Sequence, residues 1–325
     1  MEKKCTRQIV IGVVYNVLQD EILLSKRPTD KHMGGLWEFP GGKIEQEETS
    51  NQALIRELEE ELDITPSAFE HAINFQYTYP DRRLFFHVFH VFGFKGKPRG
   101  KENQAVQWVK KRHLSCYTFP PASMPILSKI LLPYQYAITG SFSGYSDLIK
   151  KTGELIRQGI KLIQFRANHL DEICYRQYAQ QLTLFCHAFP AVKLLVKDDV
   201  SFLDEVWCDG IHLRTHTALR LYQSGWKYSP DHKEKMAKWL AVSCHNKEDI
   251  EMAKAIGAQF VTLSPVCKTK SHPEAKLLGF QQAEKITKNA GLPVYWLGGL
   301  SVNAMKRVRD AGGHGIAAIS AFWSD

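Results

Sequence analysis

Three glutamates, Glu57, Glu60 and Glu61, stand at i, i+3 and i+4 of one stretch. On a helix of 3.6 residues per turn these positions converge on one face. Three carboxylates packed together repel one another unless a cation sits among them. A hard divalent ion such as Mg²⁺ takes oxygen ligands and leaves its other positions to water and substrate phosphates. The same spacing also suits the solvated acidic flank of an amphipathic helix. Leu54, Ile55, Leu58 and Leu62 supply the apolar stripe of that helix. Thr49 with Gln52 forms a capping box at its start, and Gly41-Gly42 makes a turn leading into it.

The spacing of the neighbouring charges adds to this. Five residues separate Gly42 from Glu48, and seven more precede Arg56-Glu57-Leu58, followed by Glu60-Glu61 and Ile64. This resembles the Nudix box, a pattern of Gly, Glu, Arg-Glu, Glu-Glu, Gly and an aliphatic residue. Asp63 stands where the family has Gly, at a helix C-cap that often needs a left-handed backbone. The stretches SKRPTDKHMGGLWEFPGGKIE, YTYPDRRLFFHVF, GKENQAVQWV and FPPASMP narrow the resemblance to the MutT branch, over about residues 8–131. The resemblance implies a Mg²⁺-dependent antimutator hydrolase, with Mn²⁺ able to substitute. Such an enzyme converts 8-oxo-dGTP to 8-oxo-dGMP and pyrophosphate. It implies that the carbonyl of Gly41 and the carboxylates of Glu57, Glu60 and Glu61 hold the metal, with Glu102 approaching from outside the helix. Glu48 would pair with Arg56 to orient the helix, and Arg27, Phe39, Asp81 and Arg82 would contact the nucleotide. Ser123 stands where 8-oxoguanine-specific members carry Asn. A short hydroxyl in place of an amide predicts a weaker preference for that base.

The chemistry follows from the residues. A triphosphate repels a nucleophile with its own charge, and metal ions held by the glutamates would neutralise it. Glu57 or Glu102 can take a proton from the attacking water. Arg27 can neutralise phosphate, and Phe39 can pack against a base. Taken singly, Arg27 also reads as a surface charge, Phe39 as a core aromatic and Glu102 as an ordinary loop carboxylate. The alternatives are a Nudix hydrolase acting on another nucleoside triphosphate or on a thiamine-related pyrophosphate, with the second half of the chain as a phosphate-ligand-binding regulatory module.

Composition sets outer bounds. A chain of 325 residues is comfortable for two domains. The formal charge of +8 suits an anionic ligand. The Lys and Arg are dispersed, which argues against binding duplex nucleic acid. Seven cysteines without a CxxC pair fit a reducing cytoplasm rather than a disulfide framework. Met1 to Asn16 does not read as a signal peptide, and no apolar run approaches the ~18 residues of a membrane span.

The elements that must position these residues read as an α/β protein of two domains, 1–131 and 134–325. In the first, strands are expected over Ile9–Val17 and Glu21–Ser25. Pro66 is expected to break the chain, and Phe75–Tyr79 with Leu84–Phe94 to form a hairpin turned at Pro80-Asp81-Arg82. With the catalytic helix these make the Nudix α/β/α sandwich with a mixed sheet. After a bridge at Ile130-Leu131-Leu132-Pro133 the rhythm changes. Eight apolar runs, at Tyr136–Ile138, Leu162–Phe165, Lys193–Val196, Gly210–Leu213, Trp239–Ser243, Phe260–Leu263, Val294–Leu297 and Gly315–Ser320, alternate with helical stretches such as Asp171–His187, Lys247–Ile256 and Val302–Asp310. Eight such units predict a (β/α)₈ TIM barrel with its site at the C-terminal ends of the strands.

Those ends carry IQFR at 163–166, DGIHL at 209–213, VSCHN at 242–246, SPVCKTKS at 264–271, LGGL at 297–300 and AIS at 318–320. The set resembles thiamine phosphate synthase and the related TenI-type tautomerase. Gly298, Gly299 and Ser320 resemble the barrel phosphate site built from backbone N–H groups, although a glycine pair also reads as a tight turn. Against the synthase pattern, Asp198 keeps one metal carboxylate while the second becomes Thr217. Two lysines become Asn168 and His272, and an Asn becomes Lys197. The tautomerase's catalytic His becomes Pro265. The expectation is a barrel that binds a phosphorylated small ligand but lacks synthase activity.

Overall fold

The computed structural model describes residues 6–30, 33–228, 238–269 and 274–323. In the first unit, which runs to Leu131, the elements are β1 (Thr6–Val14), β2 (Glu21–Lys26), β3 (Trp37–Glu38), α1 (Ser50–Leu62), β4 (Ile64–Thr78), β5 (Arg83–Gly96), β6 (Val106–Lys110) and α2 (Met124–Leu131). Strand β1 runs parallel to β5, which pairs antiparallel with β4. A second sheet, in the order β3-β2-β6, is antiparallel. Side chains alternate across β1 as a strand requires. Val10 and Val14 pack with Leu54, Leu58 and Leu62 of α1. Val13 faces the other core, with Phe75, Phe86 and Ile126 and Leu127 of α2. The result is a mixed sheet between helices. Gly12 allows α1 to lie on β1, because a Cβ there would stand 3.2 Å from the methyls of Leu54 and Leu58.

Two expectations for this unit are corrected. Strand β1 stops at Val14 instead of Val17, because the Asn16 carboxamide accepts from the backbone amides of Asp20 (3.0 Å) and Glu21 (3.2 Å) and closes a turn. Pro66 does not break the chain but lies inside β4 opposite Phe94, beside a register shift at Pro66/Ala68. Strand β4 is the sheet's edge, where a missing N–H forfeits no ladder bond.

From Leu132 the second unit contains β7 (Gln135–Ile138), α3 (Tyr145–Arg157), β8 (Leu162–Gln164), α4 (Glu172–His187), β9 (Lys193–Lys197), β10 (Gly210–Leu213), α5 (Thr215–Gln223), β11 (Trp239–Cys244), α6 (Lys247–Ala255), β12 (Phe260–Leu263), α7 (Gly279–Lys288), β13 (Val294–Leu297), α8 (Met305–Asp310) and β14 (Gly315–Ala318). All eight strands are parallel and close into a barrel. Its interior is packed by Tyr136, Ile138, Leu162, Leu195, Ala241, Phe260, Tyr295 and Ala317. His212 is also buried inside, bonded at Nδ1 to the Tyr136 hydroxyl (2.8 Å) and at Nε2 to Ser243 Oγ (3.0 Å). The alternation departs from strict β/α twice among the described residues. A 3₁₀ turn, Val200–Asp204, replaces a helix between β9 and β10, and no helix follows β14. No helix among the described residues is long and apolar enough to cross a membrane.

Candidate functional site

The glycine turn fixes the first part of the site. The amides of Val10 and Gly12 donate to the carbonyls of Gly42 and Pro40, each at 2.9 Å, which straps the turn along β1. The Gly41 carbonyl lies between those two acceptors, and the Gly41 amide donates to the Glu61 carboxylate at 3.0 Å. Gly41 has φ of +143° and a Cβ there would strike the Val10 carbonyl, so glycine is required. A Cβ on Gly42 would occupy the space of the Glu57 carboxylate.

Helix α1 is capped as its sequence predicts, with the reciprocal Thr49–Gln52 box at its start. Asp63 takes the left-handed C-cap conformation, φ 59°, and is held there by Arg99 (2.7 Å) and Lys101 (3.6 Å). The loop after β5 is pinned to the same helix end. The amides of Arg99 and Lys101 donate to the carbonyls of Leu62 and Glu61, each at 3.0 Å, and the Gln104 carboxamide donates to the Glu61 carbonyl at 3.0 Å. These bonds use acceptors that a helix terminus leaves unsatisfied, and they set Glu102 beside α1.

Arg56 joins the acidic groups. Its Nε and Nη2 donate to the two oxygens of Glu48, both at 2.9 Å. Its Nη1 donates to Glu57 (3.1 Å) and Glu60 (3.0 Å), and Nη2 also to the Lys43 carbonyl. The guanidinium holds the Glu48 carboxyl below its ordinary range. Burial pushes the Glu57 carboxyl up. Burial also pushes Glu61 up to about 8, with the nearby charges of Glu38, Glu57 and Glu102 adding to it. The face is thus rich in hard oxygen donors and short of positive charge. That donor set, the carboxylates of Glu57, Glu60, Glu61 and Glu102 with the Gly41 carbonyl, suits a Mg²⁺-type ion. Among the described residues no three such groups are gathered into a ready cage, because Arg56 draws off Glu57 and Glu60 while Gly41 holds Glu61.

A cavity of about 650 Å³ opens over this face, within the range of small-molecule sites. It is lined by Arg27, Phe39, Gly41, Glu57, Glu60, Glu61, Arg82, Glu102 and Ser123 among others, so most of the residues singled out in sequence meet here. Asp81 does not line it. Its carboxylate instead holds Arg82, at 2.6 Å from Nη2. Glu48 also lies outside, behind Arg56. Phe39 is 2% exposed and stacks on Phe119, so it is a floor and not an open platform. Glu38 and Tyr79 are among the lining residues that the sequence reading did not assign to the site. Glu38 pairs with Arg27, and Tyr79 bonds to the Ala122 backbone next to Ser123. Glu38 directly precedes the FPGG turn, which is the one local hint it gives. The signal for Tyr79 is its place just before the Pro80 turn.

At the mouth of the barrel, Asp198 follows β9 with φ of +60°. Its carboxylate accepts from the Arg214 amide (2.8 Å) and Arg214 Nε (2.9 Å), with His216 at 4.0 Å. Thr217, where the resemblance looks for a second carboxylate, has a buried hydroxyl without a partner among the described residues. A single carboxylate already paired with a guanidinium does not fit a divalent metal. The Lys197 ammonium donates to the Ala167 carbonyl (3.1 Å) and Asn168 Oδ1 (3.2 Å). Gly298 and Gly299, both at positive φ, run against the loop at Pro265–Lys268 so closely that side chains would collide. These glycines therefore have a packing reason. Ser320 is exposed beyond the end of β14. His272 lies outside the described residues.

Comparison with known proteins places these features. Residues 11–129 match the family model of the NUDIX domain, and residues 135–322 match that of thiamine monophosphate synthase. Over 123 residues the chain is 41% identical to the 8-oxo-dGTP diphosphatase of Escherichia coli (strain K12), which covers 38% of this chain and 95% of that protein. It is 36% identical over 124 residues to the CTP pyrophosphohydrolase of the same organism, covering 38% and 92%. Over 194 residues it is 29% identical to the thiamine-phosphate synthase of Anoxybacillus flavithermus, covering 57% and 84%.

Proposed function

This chain belongs to the thiamine monophosphate synthase family through its barrel and to the Nudix hydrolases through its first unit, and from that premise we propose that it is a Mg²⁺-dependent 8-oxo-dGTP diphosphatase. It would release 8-oxo-dGMP and pyrophosphate and so keep the oxidised nucleotide out of DNA replication. The observation that carries this reading is that the acidic face of α1 lines one cavity with Arg27, Phe39, Arg82 and Ser123. Glu57, Glu60, Glu61, Glu102 and the Gly41 carbonyl would hold the metal, Mg²⁺ or Mn²⁺ in its place. When bound, the ion supplies charge neutralisation on the phosphates and polarises a phosphoryl oxygen. Arg56 keeps Glu57 and Glu60 turned to one side of the helix. Arg27 and Arg82 offer cations to the triphosphate, and Arg27 is steadied by Glu38. Glu57 or Glu102 accepts the proton of the attacking water. Phe39 forms the floor under the base, with the Ser123 hydroxyl within the same cavity.

For the second unit we read a barrel that binds a phosphorylated small ligand near Gly298, Gly299 and Ser320 and does not turn over thiamine precursors. Thr217 and Asn168 remove charges that a pyrophosphate leaving group needs. The six described cysteines are free, which supports a cytoplasmic setting. No duplex nucleic acid or membrane enters this reading.

Ser123 favours a second reading, hydrolysis of another nucleoside triphosphate or a thiamine-related pyrophosphate with the barrel as a regulatory module. A panel of 8-oxo-dGTP, dGTP, CTP and thiamine pyrophosphate, assayed with the full chain and Mg²⁺, separates the two. The first reading expects the highest kcat/KM for 8-oxo-dGTP. Equal values for 8-oxo-dGTP and dGTP would remove the sanitising role.

A further inference from the structure

At the mouth of the barrel the ends of three neighbouring strands carry three cations and one carboxylate. Arg166 follows β8, Lys197 ends β9 and Arg214 follows β10, on neighbouring strands. Each is near enough for Lys197 to feel the charges of Arg214 and Arg166 together with that of Asp198. Within 4.0 Å the Asp198 carboxylate meets Arg214 and His216, among the described residues. Among the described residues neither Arg166 nor Lys197 pairs with a carboxylate within 4.0 Å. Asp198 also anchors the cluster. Its left-handed backbone is fixed by its own amide on the His212 carbonyl (3.1 Å) and by the Arg214 amide on its side chain (2.8 Å).

Arg214 is held but not used up. A guanidinium has five N–H donors. Only Nε is directed at Asp198, and among the described residues the Nη groups have no partner. The side chain is 56% exposed, so those donors are open to solvent. The Lys197 ammonium gives two protons to backbone and Asn168 and keeps a third. Burial, with the charges of Arg214 and Arg166, pushes its pKa down, and Asp198 offsets this only in part.

We propose that this cluster is a metal-independent anion site, in which Arg214, braced on Asp198, joins Lys197 and Arg166 to take the phosphoryl end of a small phosphorylated ligand. The guanidinium stands where a cation on Asp198 would stand and performs the charge neutralisation itself. This rests on the reading of the barrel as a phosphate-ligand binder and adds that its binding needs no divalent ion.

The test is calorimetric titration of inorganic pyrophosphate into the full chain, once with EDTA and once with Mg²⁺. The site predicts binding that persists in EDTA. Arg214→Gly, at a helix N-cap position that tolerates glycine, and Lys197→Asn should each weaken it at least about tenfold. Arg214→Lys should restore part of the loss. Arg27→Ala, in the first unit, should leave the EDTA binding unchanged. Binding seen only with Mg²⁺ overturns the metal-independent site and spares the phosphate-binding reading. Binding that vanishes with Arg27→Ala, or that survives Arg214→Gly at full strength, overturns the site by locating the anion elsewhere. Absence of binding in both buffers overturns this site and the phosphate-binding reading together.

Discussion

Arg56 decides how the acidic face behaves, because one guanidinium reaches Glu48, Glu57 and Glu60. Lysine offers no planar fork. Arg56→Lys should lower stability by about 1–2 kcal/mol, between the values for exposed and buried pairs, and should lower kcat through misplaced carboxylates. Denaturant unfolding and steady-state kinetics check the two parts. Glu60 is exposed and contributes little to the fold, so Glu60→Gln should leave the melting temperature nearly unchanged. It should cut kcat roughly 100-fold, the scale of removing one preorganised electrostatic group. Full activity with an unaltered Mg²⁺ requirement would refute its assignment as a ligand. Ser123→Asn should widen the 8-oxo-dGTP to dGTP ratio by up to about tenfold, one hydrogen bond's worth. The glutamate face was legible because side-chain direction on a helix follows from spacing alone. The Arg27–Glu38 and Asp198–Arg214 pairs were not, since they join different elements and leave no periodic trace.

At the scale of elements, α1 and β1 meet through Gly12 with no room to spare. Gly12→Ala should destabilise the first unit by about 1–3 kcal/mol by overpacking against Leu54 and Leu58. Leu58→Ala, fully buried, should cost about 2–5 kcal/mol. Chemical denaturation of the full chain, followed by a probe in the first unit, measures both. The capping box and the eight barrel strands could be read from sequence because caps and short apolar runs are local signals. The end of β1 could not, since Val17 continues an apolar run and only the Asn16 side chain, folded back on Asp20 and Glu21, stops the strand. Nor could the fate of Pro66, which depends on β4 being an edge strand, a fact of sheet order.

Taken whole, the molecule buries a histidine at the centre of its barrel. His212 is pushed down to about 3 by burial, from an ordinary value near 6.5. The folded state therefore keeps it neutral while the unfolded chain takes up a proton below about 6.5. Its contribution to stability is complete above that pH and is lost as pH falls from about 6.5 toward 3. The barrel's unfolding midpoint should drop across this window, and His212→Gln, though less stable overall, should show a flatter profile. The floor of the same barrel has a different consequence. Leu132 is packed among its interior side chains, its carbonyl receives His314 Nε2 at 3.0 Å, and the Pro133 carbonyl receives the Tyr295 hydroxyl. The second compact unit begins at Leu132, two residues before the start at 134 expected from sequence. Any attempt to dissect the protein must cut before Leu132. A fragment beginning at Tyr134 would lose its bottom stopper and strand two buried donors, and its poor behaviour would be an artefact of the scissors, not a property of the barrel.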